Sequence, residues 1–447
     1  MKYMEEYKRK LVTADEAVKV VQSGDTVNYG EFIMNSALLD EALAKRKDEL
    51  TNVNIITTTC PFQPKTVLAD PNKEHFIFND WHFSAASRKL HDKGLCYFMP
   101  MLYHETPDYY ERGYVPIDVA FIKVTSMNKH GYFNLGTSSS MTPSICDVAR
   151  IIVAEVNTSV PRCLGGTRES IHISDIDFIV EGDNRPLIEL PDTPFTEVDN
   201  KIARLVLEEI EDGACLQLGI GAMPNAIGNM IAQSDLKDLG VHTEMLCDSF
   251  VDMYESGVLT GRRKQIDKRK MVYTFAMGSR KLYDFMDDNP ACAMYPVNYT
   301  NDPYVISRNK KVVAINNAIE IDLYGQACAE SAGTRQISGT GGQFDFIFGS
   351  YKSEGGKGFV CLSSTVVDKN GNLESRIKPT ITPGGTVTSH RAINFYVITE
   401  YGKVMLKGES TWQRAEALIS IAHPKFRDDL IKEAEKMKIW VKTNKIG

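Results

Sequence analysis

The sequence predicts an α/β protein built from two similar open α/β/α domains. Three observations carry that prediction. Short apolar runs of strand length alternate with helical stretches, the pattern of βαβ units. The order of elements in the first half returns in the second, as an internal duplication would leave it. At 447 residues the chain is also too long for one ordinary core.

Taken in order, Thr13 followed by Ala14-Asp15-Glu16 opens a helix with a capping threonine and acids in its first turn. Ser23-Gly24-Asp25 ends it, and Thr26–Gly30 reads as a strand entering a loop. A helix over Leu38 to Lys47 and a strand over Val53–Thr58 follow, then buried strands at Asp118–Val124 and Arg150–Val156. Between these two, Asn128-Lys129-His130-Gly131-Tyr132 is a turn of hairpin type. In the second half Ala214–Leu218 reads as a short buried strand, Asn225 to Gln233 as a helix, and Gly240–Thr243 as another strand. Gly213 to Gly221 echoes Gly24 to Gly30, and Val241-His242-Thr243 echoes the strand at Val53. Phe344–Phe348, the turn Ser353–Gly356 and the strand Phe359–Leu362 are matched to Asp118 through Leu135, and Asn394–Glu400 to Arg150–Val156. The expected join is the proline-rich crossover from Asn184-Arg185-Pro186 to Pro191-Asp192-Thr193-Pro194. That sets a first domain at 1–190 and a second at 191–447, the second carrying Glu244. A charged amphipathic helix over Lys425–Lys438 is expected on the outside.

Composition narrows the function classes. Apolar residues at 43% and charged residues at 24% are ordinary for a folded protein, which argues against global disorder. A formal charge of -7 with both signs interspersed argues against a nucleic-acid scaffold, though not against a local basic patch for phosphates. The charged stretch Met1–Glu6 does not read as a signal peptide, and no run approaches the ~20 apolar residues of a membrane span. Nine scattered cysteines without a C-x-x-C pair disfavour a disulfide framework or zinc site and fit a reducing cytosol.

The chemistry concentrates around residues 219–244. A strand, the loop Gly219-Ile220-Gly221-Ala222-Met223-Pro224, a helix and a second strand make a βαβ unit whose strand ends gather ligands. Backbone N–H groups of such a loop hold anions, and Glu244 falls near the end of the second strand. The loop resembles a dinucleotide fingerprint with proline in place of its third glycine, and Glu244 lies 20 residues past that proline, where a ribose-binding acid would sit. Pro224 instead suits a helix first turn. On the residues alone Glu244 is either a ribose-gripping acid or an attacking carboxylate, and the loop serves equally as a plain strand–helix turn. A second glycine loop, Gln336–Phe346, brings three glycines in four residues, whose N–H groups could line an oxyanion site. His242 and the other eight histidines lack metal spacing, and Ser138-Ser139-Ser140 lacks a nucleophile frame. Trp81-His82-Phe83 and Tyr97–Tyr103 offer bulk for an acyl pocket or simply for the core.

Together, Gly219-Ile220-Gly221-x-x-Pro224, His242-Thr243-Glu244-Met245, Asn301-Asp302-Pro303, the Gly339–Phe346 loop and Val397–Gly402 resemble the acetyl-CoA hydrolase/transferase family, the family I CoA-transferases. The resemblance runs to Ala422-His423-Pro424-Lys425-Phe426-Arg427 and within the family is nearest to butyryl-CoA:acetate and 4-hydroxybutyrate CoA-transferases, with Ser249–Met253 and Trp81-His82 favouring the butyryl type. It implies that Glu244 is the nucleophile, that Asn301 and Glu400 orient it or the thioester, and that the Gly342 N–H serves the oxyanion. It further places CoA along Gly219, Ile220, Gly221, Ala222 and Met223, near Ile319 and Gly342, with Lys378 reaching the phosphates. Read without the resemblance, Lys378 is a solvated loop cation. The implied substrates are acyl-CoA thioesters and short-chain carboxylates, with no prosthetic group, no metal, no nucleic-acid or membrane partner, and a cytoplasmic homodimer or homotetramer. Thioester hydrolysis on the same scaffold, an NAD-dependent dehydrogenase and a non-catalytic CoA- or sugar-phosphate-binding protein stay open as alternatives.

Overall fold

The computed structural model describes residues 2–191 and 193–442; Met1, Asp192 of the expected linker, and residues 443–447 lie outside the described residues. Two compact units emerge. The first comprises Met1–Pro191, Glu244–Leu246 and Val272–Thr300; the second comprises Asp192–Thr243, Cys247–Met271 and Asn301–Gly447. A cut at 190/191 therefore differs from this packing by two excursions, and Glu244 falls in the first unit. The physical reason is strand pairing: Met245–Leu246 lies parallel to Phe275–Ala276, and Phe275 bridges to Ser138.

The first unit is organised by a seven-stranded sheet in the order Tyr97–Phe98, Phe76–Asp80, Val53–Thr58, Thr26–Glu31, Val119–Val124, Ile151–Val156, Phe178–Glu181. Every neighbouring pair is parallel. Parallel sheets are covered on both faces, and accordingly all six residues of Thr26–Glu31 are buried. Val27, Tyr29, Leu39, Phe78 and Phe121 belong to one apolar cluster beside it. Strand order reverses at Thr26–Glu31, whose two neighbours are Val53–Thr58 and Val119–Val124.

The strands of the second unit run Gly240–His242, Cys215–Leu218, Val312–Asn317, Lys357–Cys361, Tyr396–Thr399, Gly402–Met405. All pairs are parallel except the last, a closing hairpin. Order again reverses at the first strand of the set in sequence, Cys215–Leu218. The matching topology supports two similar domains, but not every expected counterpart. Phe344–Phe348 is not a strand; it lies within the helix Gln343–Lys352. Its alternating aromatics mimic a strand, whereas burial of Gln343, Phe346, Ile347 and Ser350 follows helical spacing. Val312–Asn317 takes the place equivalent to Val119–Val124. Lys357–Cys361 then matches Ile151–Val156, and Tyr396–Thr399 matches Phe178–Glu181 rather than Ile151–Val156.

Local signals explain most boundaries. Thr13 and Glu16 form a reciprocal capping box. The helix expected over Leu38–Lys47 spans Ala37–Ala44 and is capped by Ser36. The helix expected from Asn225 starts at Ala222, because Pro224 fits a first turn where its missing N–H costs nothing. Asn128–Tyr132 forms a turn, but Tyr132–Asn134 then pairs antiparallel with Ser170–His172. The tail helix spans Pro424–Lys436, burying Leu430 and Ala434 and leaving its charges outside. Among the described residues no helix is long and apolar enough to cross a membrane.

Candidate active site

The second unit brings several of the expected residues to one edge of its sheet. Gly219 follows Cys215–Leu218, Ile319 follows Val312–Asn317, Ser364 follows Lys357–Cys361, and Glu400 follows Tyr396–Thr399. These are carboxyl ends of adjacent parallel strands, where α/β sheets bind ligands, and Gly219 stands at the reversal point. Gly221 caps the helix Ala222–Ala232 at φ 113° and ψ 178°, a conformation open to glycine alone. A Cβ at Gly219 or Gly221 would meet nothing within 4 Å, so the loop borders open space rather than packed side chains. Ile220 is 44% exposed on it, while Met223 is buried and Ala222 half-buried. Gly342 caps Gln343–Lys352, whose first N–H groups form a second anion-favouring terminus.

Asn301 is fully buried and its Nδ2 donates to Asp345 Oδ2 at 3.2 Å. Both oxygens of Glu400 are engaged by Ser364, one by its N–H at 2.8 Å and one by its hydroxyl at 2.6 Å. Glu400 thereby ties two strand ends together. Lys378 lies on a separate small sheet, paired with Asp322, its ammonium 3.5 Å from the Glu374 carboxylate. His242 is buried with its ring tilted toward Phe346.

Glu244 lies two residues beyond the strand Gly240–His242 and is half-buried. Its carbonyl accepts from the N–H groups of Thr274 at 2.9 Å and Phe275 at 3.3 Å. The Thr274 carbonyl in turn accepts from Ser139 at 3.1 Å and Ser140 at 3.3 Å. The backbone bearing the carboxylate is thus held by two successive hydrogen-bonded segments, Thr274–Phe275 and behind it Ser139–Ser140. Phe32 stacks on Phe275 with ring centroids 3.6 Å apart.

A group that the sequence did not single out sits beside this arrangement. Glu31 ends the central strand of the first unit and is 1% exposed. Its Oε2 accepts from Met141 N–H at 3.1 Å and Thr142 Oγ1 at 3.2 Å. Burial pushes its carboxyl up to about 7, against the opposing pull of these bonds and of Ser140. Asp80, ending another strand, is also pushed up to about 7 by burial, and its oxygens accept from Thr59, His82 and Ser87. Burial holds His82 down at about 4, with the Arg88 cation adding to the effect. Of the aromatic run, Phe83 belongs to the core cluster, and Trp81 donates to Tyr110 Oη at 3.0 Å.

Comparison with known proteins places this geometry. Residues 1–190 match the acetyl-CoA hydrolase/transferase N-terminal domain and residues 278–434 the corresponding C-terminal domain. The chain is 52% identical to the probable butyrate:acetyl-CoA coenzyme A-transferase of Syntrophomonas wolfei, covering 100% of this chain and 99% of that one. It is likewise 52% identical to the butyryl-CoA:acetate CoA-transferase of Anaerostipes caccae, over 100% of both. Among solved structures, RipA from Yersinia pestis superposes with a TM-score of 0.89 at 34% identity, covering 98% of this chain and 100% of that one. With both family domains matched and full-length relatives above half identity, the chain belongs to the acetyl-CoA hydrolase/transferase family.

Proposed function

We propose that this enzyme transfers CoA from a short-chain acyl-CoA, with butyryl-CoA as the reference donor, to acetate, releasing the free acid and acetyl-CoA. The observation that carries the reading is the full-length likeness to two proteins named for butyrate, acetate and CoA transfer. Glu244 is the proposed nucleophile. Its carboxylate attacks the thioester carbonyl, forming an acyl-glutamyl anhydride as CoA leaves as thiolate. The thiolate attacks the glutamyl carbonyl, expels the carboxylate of the donor acid and leaves a glutamyl-CoA thioester. Acetate attacks that thioester, and the same two exchanges run backwards to give acetyl-CoA. Covalent catalysis of this kind gives ping-pong kinetics.

Each exchange passes through a tetrahedral oxyanion, for which pre-aimed donors contribute about 2.7–4 kcal/mol apiece. The Gly342 N–H is proposed for that role, with Asn301 and Glu400 as orienting groups. Gly219, Ile220, Gly221, Ala222 and Met223, with Ile319, are proposed to hold CoA, and Lys378 its phosphates. The open space at Gly219 and Gly221 supports this placement. Lys378 is supported only by its charge, which Glu374 already shares.

Incubation with butyryl-CoA followed by borohydride should trap a reduced Glu244, located by mass spectrometry. Glu244→Ala should lower transfer by ~10⁴-fold or more, as removal of other covalent nucleophiles does. Full transfer activity in Glu244→Ala would sink the reading. CoA release that is indifferent to acetate would favour hydrolysis instead.

A further inference from the structure

The Gly342 N–H, assigned above to the oxyanion, closes a loop with little regular structure of its own. From Ile337 to Gly342 the chain forms neither strand nor helix, three of its six residues are glycine, and Gly341 takes φ of 52°. Glycine leaves a backbone many conformations, whereas an oxyanion donor acts only where it is aimed in advance. Whatever fixes this loop therefore bears on the rate.

Glu330 supplies most of the fixing. The short antiparallel hairpin of Ser331–Ala332 and Arg335–Gln336 follows it and brings the chain back alongside. The Glu330 carbonyl accepts from the N–H groups of Ile337 at 2.8 Å and Ser338 at 3.1 Å. The neighbouring Ala329 carbonyl accepts from the Ser338 hydroxyl at 3.0 Å. Further along, Glu330 Oε2 accepts from the Thr340 hydroxyl at 3.1 Å. Beyond the loop, Gln343 opens the helix Gln343–Lys352 and donates through Nε2 to Ser389 Oγ at 3.2 Å. The start of the loop thus rests on the backbone of Glu330, and its middle on the side chain.

The side-chain contact is the one that needs a reason. Glu330 is 4% exposed, and burying a carboxyl is costly unless its oxygens are hydrogen-bonded. Burial pushes this carboxyl up, against the opposing pull of the Thr340 and Thr388 hydroxyls. The Thr388 hydroxyl also accepts from the Ala329 N–H at 2.9 Å, so it braces the same segment. The backbone bonds to Ile337 and Ser338 require no particular side chain at position 330. What the carboxyl adds is a bond to a threonine between two glycines, two residues before Gly342.

We propose that Glu330 is a positioning residue for the oxyanion site, its carboxyl holding Thr340 and through it aiming the Gly342 N–H. The proposal rests on the CoA-transfer reading, in which Gly342 serves the oxyanion, and adds the group that sets the loop.

The test measures acetate-dependent transfer from butyryl-CoA in wild type, Thr340→Val, Thr340→Ser, Glu330→Ala and the Glu330→Ala/Thr340→Val pair. Thr340→Val keeps the side-chain shape and removes only the hydroxyl. It should lower kcat by about tenfold or more, as small misplacements of catalytic groups do. KM for butyryl-CoA should stay within about twofold, because the interaction is made only in the transition state. Thr340→Ser keeps the hydroxyl and should restore kcat. Glu330→Ala should lower kcat as Thr340→Val does, and the pair should lose no more than either alone, since both remove one contact. Wild-type kcat in Thr340→Val overturns the proposal, and so does a raised KM at unchanged kcat, which makes Thr340 a CoA contact. Failure of Thr340→Ser to restore kcat, or losses that multiply in the pair, also overturn it. If Glu330→Ala does not fold, the two Thr340 variants decide alone, because half-buried Thr340 is replaced at nearly constant volume. In all these outcomes wild type still transfers CoA to acetate, so the CoA-transfer reading stands. Wild type without acetate-dependent transfer removes that reading, and the proposal with it.

Discussion

A methyl group at position 221 would collide with nothing and still be resisted, because the φ of 113° there excludes side chains. Gly221→Ala should therefore cost roughly 1–3 kcal/mol of stability in denaturant unfolding and raise KM for acyl-CoA. Gly219 has open space and no such φ. Gly219→Ala should leave stability within about 0.5 kcal/mol, so a raised KM there reports ligand contact directly. Equal KM in wild type and Gly219→Ala would remove this loop from the proposed CoA site. At the same scale, Glu244 and the glycine loops can be proposed from the sequence alone, because spacing and residue type suit the chemistry proposed for them. Glu31 cannot. One acid after a glycine reads as surface, and its burial depends on Met141 and Thr142, over a hundred residues away in the chain.

Helix ends illustrate what short spacing can specify. Thr196 accepts from Asp199 N–H at 3.3 Å while the Asp199 carboxylate accepts from Thr196 N–H at 2.7 Å, closing a capping box on Glu197–Leu207. Thr196→Ala should cost about 1 kcal/mol, measurable as a lower denaturation midpoint with unchanged slope. Local rules of this kind, together with continuous apolar runs, made most helices and central strands readable from the sequence. They failed at Gln343–Lys352, where Phe-Asp-Phe-Ile-Phe alternates like a strand and only tertiary burial selects the helix. They also failed to say which strands are equivalent in the two halves. That is decided by pairing between distant segments, such as Val312–Asn317 beside Cys215–Leu218.

For the whole molecule, buried titratable groups set the response to pH. Burial raises Glu31 and Asp80 to about 7 from ordinary values of 4.5 and 3.8. Between those limits the folded chain keeps protons that the unfolded chain has lost, so their contribution is full at low pH and disappears as pH rises through 7. His82 acts oppositely: lowered to about 4 from 6.5, it takes up a proton only on unfolding, so its contribution is lost as pH falls through that window. Above pH ~6.5 His82 drops out and the two acids contribute a falling slope, each removing roughly 1 kcal/mol by pH ~8. Denaturant unfolding should show stability falling over that interval, and falling less in Glu31→Gln; an identical fall in both proteins would contradict the burial argument. The excursion of Glu244–Leu246 and Val272–Thr300 into the first unit has a further consequence, for synthesis. Domains ordinarily fold in turn as the N-terminal part leaves the ribosome. Here the partners of Phe32 and of the Thr137–Ser140 segment are made well over a hundred residues later, at Thr274–Ala276. The first unit must wait on the ribosome with Phe32 uncovered until about residue 300, long after its own sheet has been translated. A chain stopped at residue 191 should accordingly expose an aromatic face and call on chaperones, although every strand of its sheet is present.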